Sequence, residues 1–390
     1  MYRYIDLMGT MFLYSMSSTA ICLMIILLYK YVYHDTSRIR IHLDDVLIVT
    51  VLILITSFRY GVGSDFFRYV TNARTYYNWY SDLHRLFNWS TIQAFGGQIG
   101  YPFISVISGY ISQNEFAILW VTSVIIYVPL IWYCRKYTKN AFVSFSVYLL
   151  FGFWGMSLNV LKQAISMIFF AYAYEKLEEK RYIIFGIFAL LTFIFHSSAI
   201  IAIAVLVVSK WIKPSKTIFW GAIGIGIFFR LSTPLIVKIL STISALNKYL
   251  SYFGGEKSLH TDRTFIWLGA LIETLVVCCI IYFALTQIEK LRLERKDTDH
   301  LLSIIICGIP FSIIGISGNL WLANRLAKYF FFFLIPLLSV LLGKERKKYF
   351  IDGKSRRFIW LSLIIWHMMY SVLMLDNSEF VIATYLFQLF

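Results

Sequence analysis

The sequence predicts an all-α polytopic integral membrane protein with about twelve transmembrane helices, within a range of about ten to fourteen. Three observations carry this. Of 390 residues, 59% are hydrophobic and 18% aromatic, and only 15% are charged, against about 25% charged in a typical soluble domain. Apolar runs long enough to cross a bilayer recur from end to end. The basic excess, a net charge of +15, sits in short connections between those runs, the distribution that the positive-inside rule describes. Topology therefore accounts for the charge, and no nucleic-acid partner is implied.

The elements follow in order. Leu7 to Tyr29 is too long for a signal-peptide core and lacks a small-residue cleavage site, so it reads as a retained span. Basic connections at Lys30–Arg40, Arg135–Lys139, Gln287–Lys296 and Lys344–Arg357, with smaller ones at Glu175–Arg181 and Lys210–Lys216, are assigned to the cytoplasmic side. The spans then fall at about 7–29, 46–58, 116–133, 141–158, 160–174, 182–195, 197–209, 217–230, 263–285, 301–318, 323–342 and 358–375. Both termini lie outside. Tyr182–Val208 is one long apolar stretch with basic residues at both ends. A hairpin of two short helices with His196 at its outer apex satisfies the charge rule, whereas one tilted span does not. Ile99–Ser112 is apolar but cannot cross without inverting every later connection, so it reads as re-entrant or interfacial.

This order makes residues 1–390 a single transmembrane domain with two larger outer loops, about 59–115 and 231–262. No internal repeat or soluble domain is visible. Phe253-Gly-Gly-Glu-Lys-Ser258 in the second loop is the one flexible-looking stretch. The five cysteines (Cys22, Cys134, Cys278, Cys279 and Cys307) lie in or beside apolar spans with no metal-like spacing, which argues against a disulfide framework.

Four clusters stand out on the outer side. Arg59, Asp65 and Arg68 surround Gly61 and Gly63 where the second span ends. The glycines permit a sharp turn or a close approach to a ligand, and an arginine fork suits phosphate oxygens. The plainer reading is an interfacial arginine reaching to headgroups. Asn159, Lys162 and Gln163 interrupt two apolar helices at their outer junction and are read as one polar stripe. His196 sits at the hairpin apex, where a proton-transfer role or a phosphate contact suits it, with Ser197 and Ser198 placed to cap the next helix. A buried, hydrogen-bonded structural histidine is the plainer alternative. Asn324, Arg325 and Lys328 open an aromatic span, and cations at that outer end run against the positive-inside trend. Asp44-Asp45, before the second span, is most simply a helix cap. No HExxH, CxxC pair, Walker loop or GxGxxG is present, and no protein-borne metal cage is visible.

Taken together, these motifs resemble the EpsG-like branch of the Wzy-type polysaccharide polymerases. The residues that carry the likeness are Arg59; Gly63-Ser64-Asp65-Phe66 with Tyr69; Leu158-Asn159 with Lys162-Gln163; Phe195-His196-Ser197-Ser198-Ala199; and Arg325 through Tyr329-Phe330. Lys162 stands where the family usually has arginine, Ser197 where it has proline, and Ser64 where it has threonine. The resemblance implies a multi-pass enzyme of the bacterial inner membrane, GT-C-like in layout, working at its periplasmic face without a cofactor. It would transfer a growing glycan from undecaprenyl diphosphate onto a lipid-linked repeat unit, for O-antigen, lipopolysaccharide, capsule or exopolysaccharide. Its partners are the lipid-linked oligosaccharide and the bilayer, with a polysaccharide chain-length regulator as a candidate.

The reaction then suggests roles. Arg59, Arg68, Lys162 and Arg325 are the expected diphosphate-binding cations, acting independently of metal. Asp65 or His196 is the expected base toward the acceptor hydroxyl. Asn159, Gln163, Asn324 and Lys328 support them. Tyr76, Tyr77, Trp79, Tyr80, Trp89 and Tyr101 either stack on sugar rings or form an interfacial belt. An O-antigen ligase and a lipid-linked sugar glycosyltransferase remain alternatives, because both use a similar donor. A flippase or transporter would show repeats and charges along a midplane path, which this chain lacks.

Overall fold

A computed structural model describes residues 43–59, 63, 65–137, 141–242, 266–291, 298–316, 321–342 and 353–373. The expected first span, Tyr60, Gly61, Ser64, the 253–258 stretch and the connections at 30–40 and 344–352 lie outside them. The described elements are all α-helical: α1 (Leu43–Ser57), α2 (Phe66–Tyr80), α3 (Leu83–Leu86), α4 (Trp89–Ala94), α5 (Gly100–Ile111), α6 (Ala117–Tyr137), α7 (Ala141–Leu150), α8 (Phe153–Asn159) and α9 (Leu161–Glu178). There follow α10 (Tyr182–Phe195), α11 (Ala199–Ser209), α12 (Lys216–Thr242), α13 (Ile266–Leu291), α14 (Asp299–Gly315), α15 (Trp321–Phe331), α16 (Leu334–Leu342) and α17 (Gly353–Leu373).

Among the described residues, four segments are long and apolar enough to cross a membrane: Ala117–Tyr137, Lys216–Leu235, Leu268–Thr286 and Leu322–Leu342. A fifth, Phe142–Leu150 with Phe153–Asn159, bends by 63° at its break. The sequence predicts one helix there. Gly152 instead adopts the left-handed conformation, φ +78°, which a glycine takes without a Cβ penalty. Shorter apolar helices cover Asp45–Ser57, Tyr182–Phe195, Ala199–Ser209 and Asp299–Gly315. The chain is thus a multi-pass membrane protein.

The expected outer loops are more structured than loops. Residues 59–115 contain α2 to α5, and the first part of 231–262 continues α12 to Thr242. The segment read as re-entrant is α5, a helix of 12 residues. At 1.5 Å per residue it spans about 18 Å, too little for a bilayer core. The expected hairpin does break at 196–198, between α10 and α11.

The helices gather into two compact units, one ending at Ile200 and one running from Ile201. In the first, α1 lies on α6, held at one end by Arg135 Nε donating to Asp45 Oδ2 (2.6 Å). At the other end Thr56 Oγ1 and Tyr127 Oη lie 2.9 Å apart, Tyr127 Oη and Ser157 Oγ also 2.9 Å. A buried polar chain of this kind keeps each member satisfied where no water reaches. α5 packs on α2 and α6, and α9 on α10, where Ser166 Oγ donates to Thr192 O (2.7 Å).

In the second unit, α14 packs against α12, α13 and α15. Small residues make the close approach possible, as is usual between membrane helices. A Cβ at Gly308 would lie 2.6 Å from Phe330 Cβ, and one at Gly315 2.8 Å from the backbone N of Asn324. Gly308→Val is therefore expected to push α14 from α15 and cost about 1–3 kcal/mol, read as a lower apparent Tm of the detergent-solubilised protein. Gly224→Ala, whose Cβ meets nothing within 4 Å, should leave Tm unchanged or raise it slightly.

Candidate functional site

The site in the first unit is built on Arg59. Helix ends leave carbonyls without intrahelical donors, and two such ends meet here. Arg59 donates from one Nη to Thr56 O (2.8 Å), at the end of α1, and from the other to Leu158 O (3.2 Å), at the end of α8. Both C-termini carry partial negative charge, which suits a cation. The guanidinium also faces the Phe66 ring at 5.9 Å. Arg59 is only 2% exposed, and burial lowers its pKa to about 10, so it stays charged at neutral pH. Its Nε has no partner among the described residues. This burial leaves Arg59 beneath the surface, where it holds two helix ends together.

The turn above it depends on Gly63. Gly63 has φ +96°, and a Cβ there would lie 3.2 Å from both Asn159 Oδ1 and Leu158 O. Conformation and space thus demand the same residue. Asp65 N then donates to Asn159 Oδ1 (3.1 Å), and Phe66 N to Gly63 O (3.1 Å), which starts α2. The Asp65 carboxylate, half-buried, makes no cap bond to α2 and has no partner among the described residues.

Arg68 is exposed on the first turn of α2, and Lys162 is half-buried on the first turn of α9. Asp65 is tied through its N–H to Asn159, three residues before Lys162, and Arg68 follows Asp65 by three residues on the first turn of α2, so the three groups gather where α2, α8 and α9 meet. Neither cation has an ion-pair partner among the described residues. Lys162 Nζ instead lies 5.3 Å from the centroid of the Tyr101 ring, a cation–π contact. Tyr101 is itself fixed by donating from its hydroxyl to Tyr69 O (2.8 Å).

The polar stripe expected from Asn159, Lys162 and Gln163 takes a different form. The helix breaks at Val160 (φ −100°, ψ 57°), so Asn159 closes α8 while Lys162 and Gln163 open α9. Asn159 and Gln163 are each 1% exposed. The break lets Asn159 turn to the 63–65 backbone while Lys162 reaches the Tyr101 ring.

His196 ends α10 in extended conformation. Its Nδ1 lies 2.7 Å from Ser198 Oγ, and Ser197 Oγ accepts from Gln98 Nε2 (2.9 Å). Both hydroxyls are thus engaged by side chains rather than by the cap expected of them. Cβ atoms at Gly97 and Gly100 would lie 2.8 Å from the Phe193 ring and 2.9 Å from the Phe195 ring. The segment before α5 is therefore laid directly on the His196 apex. The rings of Tyr76, Tyr80, Phe95 and Tyr101 pack on one another at 5.5–6.4 Å, as a small aromatic core where α2, α4 and α5 meet. Trp79 and Trp89 remain exposed, at 61% and 69%.

In the second unit, Asn324, Arg325 and Lys328 share the first turns of α15, and Gly315 of α14 packs on Asn324. Lys328 is buried and Nζ donates to Glu273 Oε1 of α13, itself 1% exposed. Glu273 was missed from sequence, although an acidic residue inside the apolar span Leu268–Thr286 was a usable signal. Gln98 and Tyr101 were missed as a side-chain clasp and a cation platform, since nothing local marks those partners. No group of three His, Cys, Asp or Glu side chains suited to a metal occurs among the described residues.

The model of one protein family, described as the EpsG family, matches residues 45–387. No curated protein and no solved structure matches the chain. The match covers every residue of both groups described above.

Gly63→Ala should strain the turn by about 1–2 kcal/mol and crowd Asn159. A lower apparent Tm in detergent is expected, with less effect from Asn159→Ala. The double variant should be non-additive because the two positions touch.

Proposed function

The chain belongs to the EpsG family of polysaccharide-polymerase-like membrane proteins, and from that premise we propose that it is a glycosyltransferase that extends a surface polysaccharide. The donor is a growing glycan on undecaprenyl diphosphate, and the acceptor is a single lipid-linked repeat unit. The enzyme works at the periplasmic face of a bacterial inner membrane, in a GT-C-like arrangement of about twelve crossings.

The observation that carries the proposal is that Asp65, Arg68 and Lys162 gather where α2, α8 and α9 meet, Asp65 held on Asn159 and Lys162 against the Tyr101 ring, with neither cation in an ion pair among the described residues. The acceptor hydroxyl oxygen attacks the anomeric carbon of the donor sugar, and the bond from that carbon to the diphosphate oxygen breaks. The electron pair leaves on the diphosphate. Arg68 and Lys162 stabilise that developing charge, which is worth most when donors are fixed beforehand. Asp65 takes the proton from the hydroxyl, with His196 as the alternative base. Arg59 does not touch the phosphates but holds the turn from which Asp65 and Arg68 project. Arg325 is the cation that the second unit offers to a lipid diphosphate, with Asn324 and Lys328 beside it. Trp79 and Trp89 are the exposed rings available to sugars.

The test is a gel of surface polysaccharide from the source bacterium with the gene deleted. Core carrying a single repeat, with the ladder gone, is the expected result. Bare core would point to a ligase, a flippase or an earlier glycosyltransferase instead. In the complemented strain, Arg68→Ala and Lys162→Met are each expected to cut polymer by about 100-fold while the protein still inserts. Lys162→Arg, which restores the residue usual in the family, should keep the ladder.

A further inference from the structure

The second unit contains a buried pair whose acidic member the proposed chemistry does not use. Lys328 is 7% and Glu273 1% exposed at the side chain, between helices whose surroundings are apolar. Such a pair is a poor source of stability. Well-packed apolar residues in its place are often as stable, whereas losing one partner alone is costly. Charged groups inside membrane helices are instead usually functional.

Its placement suggests the function. Lys328 and Arg325 are three residues apart on α15, neighbours on one side of the helix. Pinning Lys328 therefore sets the rotation at which Arg325 is presented. Two further contacts hold the same corner: Thr274 Oγ1, next to Glu273, lies 2.5 Å from Ser312 Oγ of α14, and Gly315 of α14 packs on Asn324, next to Arg325.

We infer that Glu273 is a positioning residue, which acts through Lys328 to hold Arg325 in the orientation that turnover requires. The inference rests on the proposed role of Arg325 toward a lipid diphosphate. It differs from a purely electrostatic account in sign. If Glu273 only opposed anion binding, removing its charge would help. If it orients Arg325, removing it lowers both turnover and anion affinity.

The test compares Glu273→Gln, Glu273→Asp and the double variant Glu273→Gln/Lys328→Met in the full chain. Polymer is measured in the complemented deletion strain, and affinity for inorganic pyrophosphate in the purified protein. Glu273→Gln is expected to reduce polymer by roughly 10- to 100-fold, with weaker pyrophosphate affinity, and Glu273→Asp to recover part of both losses; tighter pyrophosphate binding with polymer kept would instead support the electrostatic account. If Glu273→Gln fails to fold because Lys328 is left uncompensated, the double variant decides. Folded but inactive protein supports positioning. Wild-type polymer from either Glu273→Gln or the double variant overturns it. The deletion phenotype tests the polymerase function separately, and the variants are compared on whichever surface glycan the wild-type gene restores.

Discussion

The bond set of Arg59 is the constraint on which the first unit depends. Two helices end in apolar surroundings, where each terminal carbonyl needs a donor and no solvent supplies one. One guanidinium answers both, at Thr56 O and Leu158 O. Joining those ends fixes the floor on which Gly63 turns, and the turn brings the Asp65 backbone onto Asn159. The break after Asn159 then starts α9 with Lys162 already at the cluster. A lysine at 59 lacks the planar fork that reaches two carbonyls at once. The arginine is therefore a matter of geometry as much as of charge.

How much of this was legible follows from the residues. The ends of the apolar runs at Arg59 and His196 were readable because each interrupts a long hydrophobic stretch, and the structure ends helices at or near both, whereas Arg325 lies within α15. Gly63 was readable as a turn because two glycines lie between charged residues at the end of an apolar run. The break at Val160 was not, because nothing in Asn159-Val-Leu-Lys forbids a continuous helix. The preference comes from Asn159 accepting a bond from a residue 94 positions away. Nor could one chain alone show that Lys328 meets Glu273, 55 positions earlier. The family resemblance, drawn from motifs rather than contacts, agrees with the family match over residues 45–387.

The two candidate clusters handle charge in different ways. In the second, a carboxylate and an ammonium neutralise one another inside the helices. In the first cluster, the enclosed Arg59 is matched by helix-end carbonyls, while Arg68 is exposed and the half-buried Lys162 lies against an aromatic ring. Aromatic faces and carbonyl dipoles steady a cation without cancelling its charge. In the proposed reaction, a diphosphate meeting Arg68 and Lys162 would therefore displace no carboxylate from an ion pair among the described residues.

That openness has a consequence for the conditions under which the cluster works. Exposed charges are screened over a Debye length of about 8–10 Å at ordinary ionic strength, while enclosed ones are screened much less. Arg68 stands in the medium, whereas Arg59 is shielded from it. The attraction for an incoming anion thus follows the salt of whichever compartment the cluster faces, but the scaffold beneath it does not. On the proposed function, a rise in ionic strength would weaken capture and leave the architecture intact, so the medium would act on the rate of encounter and not on the fold.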